Sequence, residues 1–86
     1  MNKVTQEQVD SIFDKSTKHI ETFFDKCLVM ICKLPNRFVL VESSACVDPN
    51  NFDVKIGTDI CTERIKNKIW ELEGYRLQCE LNKEEK

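Results

Sequence analysis

The feature that most constrains the fold of this chain is a row of apolar residues at helical spacing in its second half. Successive members are four, four, five, four and three positions apart: Phe52, Ile56, Ile60, Ile65, Ile69 and Leu72. Side chains three or four positions apart share one face of an α-helix, so the row predicts a long helix that covers an apolar surface. Gly57 interrupts this helix, and a glycine there typically marks close approach of another backbone.

Residues 19–42 can supply that apolar surface, because their pattern is typical of β-strands. HIETF (19–23) alternates, CLVMICKL (27–34) is an apolar run, and RFVLVE (37–42) is rich in β-branched and aromatic residues. The sequence therefore predicts a three-stranded antiparallel meander, which needs a cover on at least one face.

Two short polar segments connect these strands. FDK (24–26) links the first two, and LPNR (34–37) forms the turn between the last two. Pro35 suits the first corner of this turn, and we expect Asn36 to be the left-handed residue.

Helices are predicted at both ends of the chain. Thr5 followed by Gln8 fits a capping box before apolar residues at helical spacing, so a helix is expected over 5–16. Gly74 either bends the C-terminal helix or lets a second, short helix over 75–82 continue. The prediction is one α+β domain over residues 1–86, with antiparallel strands at 19–42 and a helical region at 48–82. One long and one short C-terminal helix pack on the sheet.

Length and charge exclude several classes of protein. A chain of 86 residues has a marginal core, which favours a homo-oligomer. Its net charge of −2 disfavours binding to a nucleic-acid polymer. The longest apolar run, Cys27–Cys32, is too short to span a membrane, and the N-terminus has no apolar signal segment. We therefore expect a cytoplasmic protein.

The residue types that catalysis and metal binding need are poorly placed in this sequence. The five cysteines are at least five positions apart, and His19 is the one histidine, so no zinc spacing exists. We interpret the cysteines as small buried apolar residues. No glycine-rich phosphate loop or catalytic triad order is present either. The sequence predicts no metal, no cofactor and no enzymatic activity.

The segment SSACVDPNNFD (43–53) is the candidate functional stretch, and two interpretations of it stay open. Asp48 followed by proline suits a helix start, which makes the segment a cap. Alternatively, the amides of Asn50 and Asn51 lie beside a helix N-terminus that attracts phosphate groups. Cations later in the chain either form a solvated helix face or reach a bound phosphate. The candidate ligand-binding residues are Phe38, Ser43, Ser44, Asp48, Asn50, Asn51, Arg64 and Lys68.

Residues 36–81 resemble a short phage and prophage protein family. Its signature is N-G-F, then G-E-S-A-C-V-D-P-x-N-F-D, a glycine four residues later, and W-P-L-E-G-Y. The chain has NRF, ESSACVDPNNFD, Gly57 and WELEGY. In this signature Arg37 replaces a glycine, and Glu42-Ser43 replaces glycine-glutamate beside the proposed pocket. Through this family the chain is similar to the first-described anti-Thoeris proteins of phages, which are anti-defence sponges.

The resemblance implies capture of cyclic ADP-ribose isomers made by bacterial TIR-domain enzymes, without cleavage, in the cytoplasm of the bacterial host. In this reading Asp48, Asn50 and Asn51 contact ribose or base, Arg64 and Lys68 face phosphate, and Phe38 stacks. It also implies a homo-oligomer, a dimer or a hexamer built as a trimer of dimers, with the pocket at a dimer interface. Some family members capture cyclic trinucleotides of the CBASS defence system at a separate site. The WELEGY residues Trp70, Glu73, Gly74 and Tyr75 are expected to serve fold and assembly.

Two other functions remain open. One is a phage interaction module that binds a host protein and no nucleotide. The other, weaker alternative is a small DNA-associated regulator, whose binding would fall steeply with salt.

Overall fold

The computed structural model describes residues 3–84, which form an α+β fold. An N-terminal helix α1 (Gln6–Lys15) precedes three strands, β1 (Thr17–Phe23), β2 (Cys27–Lys33) and β3 (Val39–Ala45). A short 3-10 turn (Pro49–Asn51) leads into the long helix α2 (Val54–Glu84). The predicted fold class is therefore confirmed. The first two and last two residues of the predicted 1–86 domain lie outside the described range.

The capping box predicted at the start of α1 is present. The Thr5 hydroxyl accepts a hydrogen bond from the backbone N–H of Gln8, and the Gln8 side chain accepts one from the backbone N–H of Thr5. At the other end, the Lys18 ammonium donates to the carbonyl of Phe13 at 2.7 Å. Both ends of this ten-residue helix are thus held by local side chains.

The three strands form an antiparallel meander in the order β1-β2-β3. In β2 the side chains of Leu28, Met30 and Cys32 are buried, whereas the alternate positions are half-buried or exposed. Because neighbouring strand residues point to opposite faces, these three side chains share one face of the sheet. Helix α2 packs on this face against β2 and β3, α1 packs against α2, and β1 stays exposed. No element of the described residues 3–84 covers the other face.

The core lies between this face and the two helices. α1 contributes Val9 and Phe13, and α2 contributes a row of residues four positions apart, namely Cys61, Ile65 and Ile69. The row predicted from sequence is therefore partly wrong. Ile65 and Ile69 are buried, but Ile56 is 58% exposed and Cys61 takes the central place beside β2. A spacing of four selects one straight strip of the helix, and the five-residue step in the predicted row leaves that strip.

Gly57 extends the same strip toward the start of α2. A Cβ atom at this position would lie 3.4 Å from the side chain of Leu28 on β2. The expected close approach of another backbone is not found, because the nearest atoms belong to the Leu28 side chain and lie at an ordinary van der Waals distance. At Gly74, in contrast, no atom lies within 4 Å of the corresponding Cβ position.

Both hairpin turns place bulky residues in left-handed backbone conformations. Phe24 and Asp25 have φ of 56° in the first turn, and Arg37 has φ of 75° in the second. The expectation that Asn36 is the left-handed residue is wrong. Its side-chain oxygen instead accepts a hydrogen bond from the backbone N–H of Phe38 at 3.0 Å, so Asn36 stabilises the turn through its side chain.

The strand region and the helical region both have boundaries that differ from the sequence prediction. The strands begin at Thr17 and end at Ala45 rather than covering 19–42, so Ser43 and Ser44 belong to β3. The helical region starts later than residue 48 and is not divided near its end, because α2 runs unbroken through Gly74 to residue 84. The predicted short helix is the last part of α2, since one glycine costs only about 1 kcal/mol among good helix formers.

Over the described residues, neither helix combines the length and apolar character needed to cross a lipid bilayer.

Candidate functional site

The outer edge of β3 is bound by two cations from α2. The Arg64 guanidinium donates a hydrogen bond to the carbonyl oxygen of Ser43 at 2.8 Å, and the Lys68 ammonium lies 3.4 Å from the carbonyl oxygen of Val41. Lys68 also forms an ion pair with Glu42. Because β3 is an edge strand, these contacts engage carbonyl groups that would otherwise face solvent.

The segment after β3 is tied down at several points. The backbone N–H of Cys46 donates to the carbonyl of Lys26 in the first hairpin turn at 3.0 Å. Asp48 accepts a hydrogen bond from the N–H of Asn50 through its carboxylate, and its carbonyl accepts one from the N–H of Asn51. Asp48 therefore caps the 3-10 turn rather than the long helix.

Asp53 is the cap of α2. Its carboxylate accepts hydrogen bonds from the backbone N–H groups of Lys55 at 2.8 Å and Ile56 at 3.2 Å. The predicted helix start at Asp48-Pro49 is thus wrong by five residues, because the sequence contains two aspartates in capping positions and the second one begins the helix. Two donors of the α2 N-terminus are consequently occupied by the protein itself.

A small cavity lies where this segment meets β3 and α2. Its volume is about 150 Å³, and Ser44, Asn51 and Gly57 are among its lining residues. The side chain of Ser44 points toward the helices, whereas Ser43 lies on the opposite face of the sheet. Within residues 3–84, the exposed side-chain amides of Asn50 and Asn51 form no hydrogen bond, so both can accept a partner.

Phe38 lies at the other end of β3, beside a different cavity. This cavity has a volume of about 350 Å³ and is lined mainly by apolar residues of α1, the second hairpin turn and α2, including Ile12, Leu34, Ile69 and Leu72. Arg76 and Glu73 also line it, and the Arg76 guanidinium is paired with both Glu73 and Glu80.

The structure thus divides the predicted site residues into two groups. Ser43, Ser44, Asn51 and Arg64 lie around the end of β3 that leads into the loop, and Lys68 lies one helical turn further along. Phe38 directly precedes β3, so the seven residues of this strand, a length of roughly 20 Å, separate it from the loop that carries Asn50 and Asn51. One chain therefore does not place Phe38 against the same small ligand as Asn50 and Asn51.

The cysteines do not share one environment. Cys32 and Cys61 are buried, Cys27 and Cys46 are half-buried, and Cys79 is exposed, so the prediction of buried cysteines is wrong for Cys79. Burial raises the pKa of the Cys61 thiol, which keeps it protonated at neutral pH. Among the described residues, no three His, Cys, Asp or Glu side chains are grouped closely enough to hold a metal ion.

Of the WELEGY residues, Trp70 packs against the core, and Glu73 pairs with Arg76 on the same helix. Tyr75 is 74% exposed. These residues support the fold to different degrees, and the assembly role expected of them stays a prediction.

Sequence reasoning missed the exposed apolar residues that flank the loop. Phe24 is 86% exposed and Val47 is 94% exposed, and the Cys46–Lys26 hydrogen bond joins the two segments that carry them. The sequence did indicate this exposure, because Phe24 lies in the predicted turn between two strands, where an apolar side chain has nothing to pack against.

Comparison with known proteins relates the chain to phages. No curated protein and no solved structure matches it significantly. The sequence pattern of the Phage protein (N4 Gp49/phage Sf6 gene 66) family matches residues 4–81, which include every helix and strand from α1 to β3 and most of α2. The chain belongs to the Phage protein (N4 Gp49/phage Sf6 gene 66) family.

Proposed function

We propose that this phage protein is an anti-defence sponge. It binds cyclic ADP-ribose isomers made by bacterial Thoeris TIR enzymes and sequesters them without cleavage in the cytoplasm of the host cell. The proposal rests on the resemblance of the loop and WELEGY segments to anti-Thoeris proteins. The membership in a phage family is consistent with it.

The observation that supports it best is the position of Arg64. Its guanidinium lies at the carbonyl of Ser43, next to the strand residue Ser44 that lines the small cavity with Asn51. The Ser44 hydroxyl and the free Asn51 amide line one concave surface, and the Arg64 guanidinium lies outside that lining, at the neighbouring strand residue. These three groups are of the types that bind the pyrophosphate and ribose hydroxyl groups of such a ligand. Arg64 has no carboxylate partner among the described residues, so its charge is available to a phosphate.

The size of this cavity favours a site shared between two chains. A volume of about 150 Å³ is below the roughly 300 Å³ at which ligand pockets usually begin. A second chain placed over the loop would enlarge and close the pocket. We therefore include a homo-oligomer, a dimer or a hexamer of three dimers, in the proposal.

A cyclic trinucleotide as a second ligand has less support. The cavity beside Phe38 has enough volume for part of such a ligand, but three phosphates require several cations. The described lining of this cavity includes one guanidinium, that of Arg76, which Glu73 and Glu80 neutralise. We therefore include a cyclic trinucleotide among the ligands to be tested by calorimetric titration and do not propose it as a second ligand.

The alternative function is an interaction module for a host protein. The exposed side chains of Phe24 and Val47 favour it, because large apolar residues at the tip of a molecule often mark protein contacts. It requires no nucleotide, and substitutions at Asn51 or Arg64 would leave its activity largely unchanged.

Recovery of the ligand tests the proposal. The protein is incubated with a cyclic ADP-ribose isomer, separated from free ligand and denatured, and the released nucleotide is analysed. Release of the intact cyclic ligand in proportion to protein supports a sponge. A linear product would make the chain an enzyme, and no retained nucleotide would favour the interaction module.

A further inference from the structure

The uncovered face of the sheet is apolar in its centre. Ile31, Val39 and Val41 are 40%, 50% and 51% exposed on this face, and Phe23 is 41% exposed. An antiparallel sheet with one solvated face normally carries polar residues there. A continuous apolar patch of this kind is typical of a protein contact.

The strand register divides this face into four rows. From one end of the sheet to the other, the rows across β1, β2 and β3 are Thr17-Lys33-Val39, His19-Ile31-Val41, Glu21-Val29-Ser43 and Phe23-Cys27-Ala45. The first two rows carry the larger side chains on β2 and β3. The last two rows carry the smaller ones.

The face is complementary to itself. If a second copy packs on it with its strands reversed, the first row of one copy meets the fourth row of the other, and the second row meets the third. Ile31 then lies over Val29 of the partner subunit, and Val41 over Ser43 of the partner subunit. Larger side chains meet smaller ones, which lets two sheets about 10 Å apart interdigitate.

The charges on β1 agree with this arrangement. His19 and Glu21 lie on the same face and are 3.5 Å apart within one chain. The reversed packing places His19 opposite Glu21 of the partner subunit, and the same contact occurs twice around a twofold axis. Packing with parallel strands would instead place β1 over β3 of the partner subunit, because the strand order is then reversed. His19 would lie opposite Val41 of the partner subunit and Glu21 opposite Ser43 of the partner subunit, so neither would meet an opposite charge.

We propose that two copies of this chain form a dimer through this sheet face, with the strands of the two sheets running in opposite directions. The inference rests on the homo-oligomer in the proposed function, but its test needs no nucleotide. In this dimer the Val39 end of β3 lies over the Ala45 end of the partner's β3. The side chain of Phe38 and the cavity that Ser44 and Asn51 line are both on the helix side of the sheet, so this interface is separate from a chain placed over the loop.

The size of the contact determines how it should be measured. Three strands about 4.8 Å apart and seven residues long form a face of roughly 14 by 23 Å, which is small for a stable dimer. We therefore expect a dimer that dissociates in the micromolar range. The mass of the full chain should be measured by sedimentation equilibrium over a range of concentrations, where twice 10.1 kDa is expected at the upper end.

Val41→Glu tests the face, and Val54→Glu is its matched control. Both valines are 51% exposed, but Val54 lies at the start of α2, away from the sheet face. Val41→Glu should remain monomeric with an unchanged circular dichroism spectrum, while Val54→Glu should dimerise like the unsubstituted chain. Equal effects of the two variants, or an unsubstituted chain that stays monomeric throughout, would overturn the proposal.

A charge exchange tests the direction of the strands. His19→Glu places two glutamates opposite each other at both symmetric contacts and should weaken the dimer at least about tenfold. Adding Glu21→Lys restores opposite charges and should recover most of the affinity. If the double variant is as weak as His19→Glu, the reversed packing is wrong. Ligand recovery is measured separately, so failure of this interface and failure of the sponge function are distinguishable.

Discussion

The Arg64 guanidinium donates a hydrogen bond to the carbonyl of Ser43 at 2.8 Å, which joins the middle of α2 to the edge of β3. Among the strands of residues 3–84, β3 is the one that leads into the segment before α2 that carries Asn50 and Asn51, which we call the asparagine loop. Among the described residues the Arg64 cation has no carboxylate partner, and it lies at the strand residue that precedes Ser44, which lines the small cavity with Asn51. The predictions about ligand binding follow from this relationship.

Removing Arg64 should weaken capture of a cyclic ADP-ribose isomer while leaving the fold intact. A charge-assisted hydrogen bond contributes about 1.5–3 kcal/mol, so Arg64→Ala should weaken binding by about 10- to 100-fold. Arg76→Ala is the matched control, because Arg76 lies three turns further along α2 and contacts glutamates of its own helix. Titration calorimetry measures both. Equal affinity of Arg64→Ala and the unsubstituted chain would remove Arg64 from the site.

Asn51→Ala should have a comparable effect on binding and little effect on stability. The Asn51 side chain is exposed, and its backbone N–H, which bonds to the carbonyl of Asp48, is retained in the variant. Asn82→Ala removes an equally exposed amide near the end of α2 and serves as the control. If both variants bind ligand like the unsubstituted chain, the loop is a structural cap rather than a pocket wall.

Arg37→Gly should stabilise the protein. Arg37 has φ of 75°, and a left-handed conformation costs a non-glycine residue about 1–2 kcal/mol, part of which glycine loses again through its greater freedom when unfolded. A gain of about 0.5–1 kcal/mol in the free energy of unfolding is expected from urea denaturation. Arg37→Lys keeps both the charge and the strain and should show no gain. A loss of stability in Arg37→Gly would contradict the turn geometry.

The same substitution should act oppositely at the two glycines of α2. A side chain at Gly57 would push against Leu28, so Gly57→Leu should destabilise the chain by about 1–3 kcal/mol. Gly74 has no atom near its Cβ position, so Gly74→Leu should stabilise the helix by up to about 1 kcal/mol. Thermal and urea unfolding of the two variants provide the comparison. Similar destabilisation by both would mean that Gly74 also packs closely against a neighbouring chain.

Asp10 should carry part of the acid sensitivity of the fold. The hydrogen bond from Gln6 and the Lys66 ammonium, which is 3.0 Å away on α2, hold the pKa of Asp10 below its ordinary value of 3.8. A lowered pKa in the folded state stabilises the fold above the unfolded-state value, and this stability is lost as the pH falls through the folded-state value. Asp10→Asn should therefore reduce the pH dependence of unfolding below pH 3.8. Asp14→Asn on the same helix is the control, and an equal reduction in both variants would contradict the assignment.

Much of the fold could be predicted from the sequence where a local signal had no competitor. The Thr5–Gln8 capping box fixed the start of α1, and the apolar and β-branched runs located three strands. The end of β3 could not be predicted, because Ser43 and Ser44 resemble a loop locally. They extend the strand because β2 continues to Cys27 and offers backbone partners there.

The predicted start of the long helix and its predicted break at Gly74 were wrong because local signals in the sequence were ambiguous. Asp48 and Asp53 are both suitable caps, and local chemistry does not distinguish a 3-10 turn from the first turn of a long helix. Gly74 suggested a break, yet the surrounding helix formers outweigh one glycine. For the candidate site, the sequence identified Asn51, Ser44 and Arg64 as residues that the fold brings to one region. It did not reveal that Phe38 lies a full strand length from the loop that carries Asn51, because such distances depend on tertiary structure.

The measurement that tests the central claim most directly is calorimetric titration of the chain with four ligands. These are cyclic ADP-ribose, its glycosidic cyclic isomers, cyclic tri-adenylate and linear ADP-ribose. The sponge function predicts sub-micromolar binding of at least one cyclic ADP-ribose isomer, weaker binding of linear ADP-ribose, and recovery of the intact ligand after denaturation. Absence of heat and of retained ligand across all four would contradict it, and the asparagine loop would then be a cap of the fold alone.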